Sequence, residues 1–434
     1  MITITYPYAG MVFQRDNSGA AYVNVRGLSD SAEVTIQFTP VQAGWGNASV
    51  TPKKVSVDNG QFNAWVKVSG GDYTLNVTDT ANANNTAQLT PIGVGEVLML
   101  WGHSFIAGDP GYNADATDSR SRSVTTARNP ANSAEPSRLQ NLDLLPLEFG
   151  RITNQRGIGP FTLNVWMWGT FADEMVKRLN VPVLLYGASF GGSQVYMNLL
   201  NIEKKPFPEP FFGGLEAYGM PYRPVEAVML KYAKLTGLRG VICEHGGNDV
   251  GLVASGQINM REVFSKVVNY TRGLLGHQRL IWTVSLEGKF LGNPSTVLND
   301  QLIDVLNTLP YTYKGIDLNQ PDTVGSFRDD GGIGHFRGVT GAEKYLEMWL
   351  NAIKSDFFTG SVPYVINPPI GSANTELTTP VSSLLANIVS DSNTPAPRWW
   401  QTESFQWAAL VVWVVGLVSL AGLFVLKTLK AGKS

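Results

Sequence analysis

The strongest constraint on this chain is a change of hydropathy period near residue 94. Before it, single apolar and polar positions alternate between Gly, Asn and Asp turns, as in Ala21-Tyr22-Val23-Asn24-Val25, Glu33-Val34-Thr35-Ile36-Gln37-Phe38 and Tyr73-Thr74-Leu75-Asn76-Val77. A period of two puts every second side chain on one face, which suits a small antiparallel β-sandwich. After it, continuous apolar runs at residues 96–101, 181–186, 238–244, 279–286 and 315–318 alternate with amphipathic stretches at 170–179, 224–235, 261–275, 296–309 and 341–354. Strands apolar on both faces, alternating with helices, call for a parallel sheet covered on both sides. The expected fold is α/β: a three-layer α/β/α domain over residues 94–356, preceded by a β-sandwich domain over residues 1–93.

Three further segments stand apart. Residues 109–160 form a long Asp-, Ser-, Arg- and Asn-rich insertion, and a stretch of that length without periodicity is either functional or disordered. Residues 357–404 read as a Pro-, Ser-, Thr- and Asn-rich linker. From Trp407 to Leu426 runs an uncharged apolar segment of 20 residues, broken only by Ser419 and two glycines. At ~1.5 Å per residue it reaches about 30 Å, the thickness of a bilayer's hydrocarbon core. Trp399, Trp400 and Trp407 suit one interface and Lys427, Lys430 and Lys433 the other, so a transmembrane helix is expected at 405–427 with a basic tail at 428–434. A net charge of −2 gives no reason to expect nucleic acid as a partner. Cys243, the single cysteine, sits inside an apolar run and reads as a buried, inert thiol.

Chemistry enters at Gly102-His103-Ser104, where the apolar run Val97-Leu98-Met99-Leu100-Trp101 stops abruptly. Ligands of open α/β sheets bind beyond the carboxyl ends of strands, so a serine lifted out there is a candidate nucleophile. It needs a base, and the chain has four histidines. His277 precedes a strand and belongs at the sheet's opposite edge. His103 and His245 sit at strand ends and could line the cleft. His335, in a Gly-rich loop before the last helix, can be carried over the serine. Asn248, Ser104's own N–H and a glycine N–H are candidate donors to an oxyanion. A rival serine exists in Gly187-Ala188-Ser189-Phe190-Gly191, a Gly-x-Ser-x-Gly elbow followed by Asp249 and His335, but it leaves Ser104 and Asn248 without roles. No metal site or cofactor is expected: one cysteine and unpaired histidines make no ligand set, and Asp109, Asp115 and Asp118 do not have calcium-loop spacing.

These residues resemble the SGNH (GDSL-like) hydrolases, and within them the sialate O-acetylesterase-like carbohydrate esterases. Gly95-Glu96-Val97-Leu98 leading into Gly102-His103-Ser104 is similar to that group's nucleophile block. Pro182-Val183 through Gly191-Gly192-Ser193 and Arg239-Gly240-Val241-Ile242 through Asn248 resemble its next two blocks, and Met11-Val12-Phe13-Gln14-Arg15-Asp16 resembles the opening of its β-domain. The resemblance covers residues 10–355. It implies Ser104 as nucleophile, His335 as base, and an oxyanion hole of Ser104, Asn248 and one of Gly191 or Gly192. Two departures stand out: His103 replaces the group's Gln, and the position three before the base, where the acid belongs, is Gly332. Either Asp330 reaches in through a looser loop, or the site is a Ser-His dyad with a backbone carbonyl orienting the ring.

The implied function is a membrane-anchored serine esterase that removes O-acetyl groups from carbohydrate, with Trp101, Trp166, Trp168 and Tyr186 offered as stacking or core residues. Its partners would be an acylated glycan and a membrane. The alternative is a glycan-binding or attachment protein, spike-like, on a weakened hydrolase scaffold. The lysines after the helix favour a cytoplasmic tail, yet no cleavable signal precedes the β-domain. Cell surface, cytoplasmic face of a membrane and virion membrane all stay open.

Overall fold

The computed structural model describes residues 1–369 apart from 48–49, 110, 127–136, 163, 208–218, 288, 291–292, 295, 321–326 and 330–333. The amino-terminal strands are β1 (Ile2–Tyr6), β2 (Val12–Gln14), β3 (Ala20–Ser29), β4 (Glu33–Pro40), β5 (Lys53–Ser56), β6 (Gln61–Ser69) and β7 (Gly71–Asp79). In one sheet β3 lies between β1 and β6; in the other β4 pairs with β5 and β7. Val23 and Val25, Val34, Ile36 and Phe38, Ala64, Val66 and Val68, and Leu75 and Val77 alternate inward to form the sandwich core.

The next strand, β8 (Thr86–Gly102), is 17 residues long and belongs to both halves of the molecule. Its first part pairs antiparallel with β7. Its last part lies at the centre of a parallel sheet, between β11 (Val183–Gly187) and β12 (Gly240–Glu244). The change of period at residue 94 therefore falls inside one unbroken strand, with no linker between sandwich and sheet. The other strands of this sheet are β9 (Ser121–Val124), β10 (Phe149–Arg151), β13 (Ile281–Leu286) and β14 (Thr312–Asp317), giving the order β10-β9-β11-β8-β12-β13-β14. Only the outermost pair, β10 and β9, is antiparallel.

Helices cover both faces of this sheet. Leu98 and Leu100 of β8 pack with Trp168, Phe171 and Met175 of the helix Trp168–Leu179 and with Tyr345 and Trp349 of the helix Gly338–Ala352. Val97, Met99 and Trp101 point the other way, into a core with Val195 and Leu199 of Val195–Ile202, Phe264 of Met260–Leu275 and Leu302 of Thr296–Thr308. Burial on both faces is why these strands read as continuous apolar runs.

A buried charge cluster welds the two halves at the amino-terminal end of the sheet. The Glu96 carboxylate accepts from Arg239 Nε (2.7 Å) and Nη2 (3.0 Å), from Arg15 Nε (2.8 Å) and from Gln14 Nε2 (2.9 Å), while Gln14 Oε1 takes the N–H of Val97. Beside it Gly95 is obligatory, since a Cβ there would lie 1.9 Å from the Pro182 carbonyl oxygen.

Two expectations need correction. Residues 109–160 are not structureless: they contribute β9 and β10. The strand was hidden because β9 buries Ser121, Arg122 and Ser123, the arginine paired with the buried Asp72 carboxylate. The start of the expected 357–404 linker is also packed, with Phe357 and Phe358 buried and Tyr364 bridged to Leu238. Among the described residues no helix is long and apolar enough to cross a membrane. The expected helix at 405–427 and tail at 428–434 lie outside the described residues.

Candidate active site

Sheet order places the site. Because β11, β8 and β12 are adjacent and parallel, with Gly187 level with Leu100 and Glu244 level with Gly102, their carboxyl ends open at one height. Three turns meet there. Gly102 brings the first against the third: a Cβ would stand 2.1 Å from the Glu244 carbonyl oxygen. Ser104 is half-buried and begins the short helix Ser104–Ala107, so its N–H has no partner within that helix. The ring of His335, also half-buried, meets it, with Nε2 2.7 Å from Ser104 Oγ. That is the geometry of a nucleophile and its base.

The other oxyanion candidates lie on the turns that follow the two neighbouring strands, β11 and β12. A Cβ on Gly191 would lie 3.9 Å from Ser104 Cβ, which makes Gly191 a direct neighbour of the nucleophile. Asn248 is sewn to the same turn: its Nδ2 donates to the Ser193 carbonyl (2.8 Å), and Gln194 Nε2 donates to the Asn248 carbonyl (2.8 Å). An amide carries two N–H donors, so one commitment leaves Asn248 a second. Gly192 has φ +78°, a left-handed conformation that glycine adopts freely.

His335 is held by its loop. Asp329 accepts the backbone N–H of His335 and, through Oδ2, a 2.8 Å bond from Arg337 Nε. Arg337 Nη1 reaches Asp109 Oδ1 at 3.4 Å, and Asp109 Oδ2 takes the Gly338 N–H at the start of the helix Gly338–Ala352. Burial opposes the charge on Asp329, but the bonds from Arg337 and His335 outweigh it and hold the carboxyl below its usual range. Phe105 and Phe336 pack edge-on at the base of this loop, with the Arg328 guanidinium over both rings. Asp330 and Gly332 lie outside the described residues. Asp329 and Arg337 were not singled out from the sequence, although the doubled Asp329-Asp330 six and five residues before His335 was a signal.

Beneath Ser104 lies a charge network that the sequence did not announce. His103 is fully buried, with Nε2 3.3 Å from both Glu244 Oε1 and Glu287 Oε2. Its Nδ1 stands 3.5 Å from Ser104 Oγ. Burial opposes a charge on the ring, but Glu244 and Glu287 outweigh it and push His103 up to about 10. Burial and the neighbouring Glu287 push Glu244 up to about 8, whereas Glu287, buried but facing His103, is lowered. Glu287 Oε2 also accepts the Gly247 N–H at 2.7 Å. One carboxylate from the end of β13 thus joins the nucleophile turn to the turn carrying Asn248. Their nitrogen and oxygen atoms lie within 4.8 Å of one another, close enough to surround a cation.

The rival readings resolve structurally. Ser189 is buried and its hydroxyl donates back to the Leu100 carbonyl (3.2 Å), so the elbow serine faces the sheet. Asp249 caps the helix Val195–Ile202, accepting from Val195 N (2.9 Å) and Tyr196 N (3.0 Å); burial outweighs those bonds and raises it to about 7. His245 is buried against Trp101, and burial with the nearby His103 charge drives it well below its ordinary value. His277 bonds the Val362 carbonyl, away from the cleft. Cys243 is buried and its thiol is pushed up. Trp101, Trp166, Trp168 and Tyr186 are all at most 1% exposed, so they build core; Trp166 alone also lines the small cavity beside Ser104 and His335.

A serine–histidine pair at the carboxyl edge of a parallel sheet, with Gly191 beside the serine, is the arrangement that a serine hydrolase requires. No protein-family model matches the chain, and no curated protein sequence does. Among solved structures it is similar to carbohydrate acetylesterases. One, a carbohydrate acetylesterase from Xanthomonas citri, is 16% identical over 83% of this chain and 76% of that chain, with a TM-score of 0.49. A family two carbohydrate esterase from Clostridium thermocellum, in complex with cellohexaose, is 13% identical over 77% of this chain and 91% of that chain, with a TM-score of 0.31. An acetyl xylan esterase from Butyrivibrio proteoclasticus is 10% identical over 81% of this chain and 96% of that chain, with a TM-score of 0.30.

Proposed function

We propose that this protein is a serine esterase that removes O-acetyl groups from a carbohydrate, tethered to a membrane by residues 405–427. The observation that carries the reading is the 2.7 Å approach of His335 Nε2 to Ser104 Oγ. In this mechanism His335 takes the hydroxyl proton as Oγ attacks the ester carbonyl. The resulting oxyanion is met by the N–H groups of Ser104 and of Gly191 or Gly192 and by the free N–H of Asn248, donors of a kind each worth ~10²–10³ in rate. His335 returns the proton to the departing sugar oxygen, leaving an acetyl-serine. Water, deprotonated by the same imidazole, attacks that ester; acetate leaves and the proton returns to Ser104.

Glu244 and Glu287 hold His103 toward its charged form, and with Nδ1 3.5 Å from Ser104 Oγ that bias favours the negative form of the attacking oxygen. Asp329 supports the base by fixing its backbone.

The test is a panel of acetylated glycans and a small acetyl ester, assayed with the native chain and with Ser104→Ala. The expected outcome is acetate release by the native chain and a loss of about 10⁴-fold or more in Ser104→Ala. Glycan binding by both proteins with turnover by neither would replace the esterase with an attachment protein on a hydrolase scaffold.

A further inference from the structure

A cleft of about 550 Å³ opens far from Ser104, where the two sheets of the sandwich part at their free edges. Among the described residues strand β5 pairs only with β4, and β6 is the last strand of the order β1-β3-β6, so each contributes a border unpaired by them. Lys53 and Lys54 come from β5, and Trp65, Lys67 and Ser69 from β6. Positions 64, 66 and 68 of β6 point into the core, which turns Trp65 and Lys67 outward.

Three lysines thus line one concavity, and among the described residues none of its lining side chains is acidic. In a chain of net charge −2 this is a local reversal of sign. Lys53 Nζ donates to the Trp65 carbonyl (3.0 Å), tying one edge to the other. The remaining two are weakly engaged: Lys54 stands 3.6 Å from Glu33 with both exposed, and Lys67 Nζ is 5.8 Å from the Tyr22 ring centre. Lysines on free strand edges discourage pairing with other chains, and that need alone accounts for charge. It does not account for the half-buried Trp65 among the residues lining the same cavity. An aromatic face beside ammonium groups is suited to a ring that is apolar on its face and anionic at its rim.

We propose that this cleft binds an acidic glycan, its sugar rings on Trp65 and its carboxylates met by Lys54 and Lys67. The site goes beyond the esterase reading and does not depend on it, since neither strand contributes to the Ser104 cleft.

The experiment titrates the full chain carrying Ser104→Ala with an oligogalacturonate, and with a cello-oligosaccharide of equal length as neutral control. The oligogalacturonate is expected to bind, more weakly as salt rises, and the neutral oligomer at least 10-fold less tightly. The double variant Lys54→Gln/Lys67→Gln, whose side chains reach solvent, is expected to lose at least 10-fold. Trp65→Ala should lose as much, and Trp65→Phe should retain most binding, which keeps the test readable if the alanine variant misfolds. Failure to bind, equal binding by the lysine variant, or equally tight binding of a DNA oligonucleotide of matched charge would overturn the proposal. Hydrolysis of a small acetyl ester by Lys54→Gln/Lys67→Gln in the Ser104 background is expected to match the native chain, so loss of the glycan site and failure of the esterase reading are separate results.

Discussion

The two halves of the catalytic pair are held in opposite ways. Ser104 stands on strands buried on both faces, above a charge network sealed from water, with its neighbouring turns stitched to one another by Gln194, Asn248 and Glu287. His335 stands on a loop at the surface, where Asp329 accepts its backbone N–H and bonds an Arg337 that is half exposed. A nucleophile must meet its oxyanion donors to within a fraction of an ångström, and rigid elements hold such geometry best. A base that moves a proton out and back tolerates, and for product release benefits from, a softer mount. Stability is thereby concentrated under the serine and spared at the histidine.

Removing the base should expose this contrast most sharply. His335→Ala is expected to lower kcat about 10⁴-fold while leaving the melting temperature within a degree or so of native, measured by ester turnover and calorimetry on the same sample. Glu287→Gln should strike both quantities. It removes the charge facing His103 and weakens the bond to Gly247, so a stability loss of about 3 kcal/mol in denaturant titration is expected, together with a roughly 10–100-fold fall in kcat. Asp329→Asn keeps an oxygen for the His335 N–H but loses the ion pair to Arg337. A fall of about 10-fold in kcat with near-native stability is expected; a large stability loss would erase the distinction drawn between the two mounts.

The smallest effect is one of pH. His103 is raised from 6.5 to about 10 in the fold, so its contribution is complete below 6.5 and is lost as pH climbs through about 10. Glu244, raised to about 8, shifts stability in the same direction over the lower part of that range. Thermal melts between pH 7 and 10 are expected to show a decline of several degrees that is flatter in His103→Gln. A steeper decline in the variant would mean that the imidazole is neutral in the fold.

Much of this was legible in the chain, though not evenly. Period-two and strand–helix patterns located the sandwich and all five apolar strands of the parallel sheet to within a few residues, because burial on one face or two writes itself directly into hydropathy. Strand β9 escaped because its inward residues are polar and satisfied by partners distant in sequence, Arg122 with Asp72 above all. Strand polarity alone placed His277 at the wrong end, and the resemblance singled out His335 among the three histidines left. The network of His103, Glu244 and Glu287 stayed invisible: its members come from three strands, and nothing local marks a buried glutamate as the partner of a particular ring. Motifs that looked catalytic were also partly architectural. Glu96, Arg239, Gln14 and Arg15, each in a block that carried the resemblance, meet at the weld between the two halves, at the sheet's far end from Ser104.

Strand β8 has a consequence for how the molecule can be divided. A hinge needs a few backbone torsions free to rotate, and the passage from sandwich to sheet offers none, since Gly93, Val94 and Gly95 are themselves paired in ladders. The amino-terminal unit is therefore less an appendage than the root of the nucleophile's own strand. Cutting the gene at residue 94 would leave the sheet with an unanchored central strand, and whatever the sandwich grips is presented at a fixed bearing to the serine.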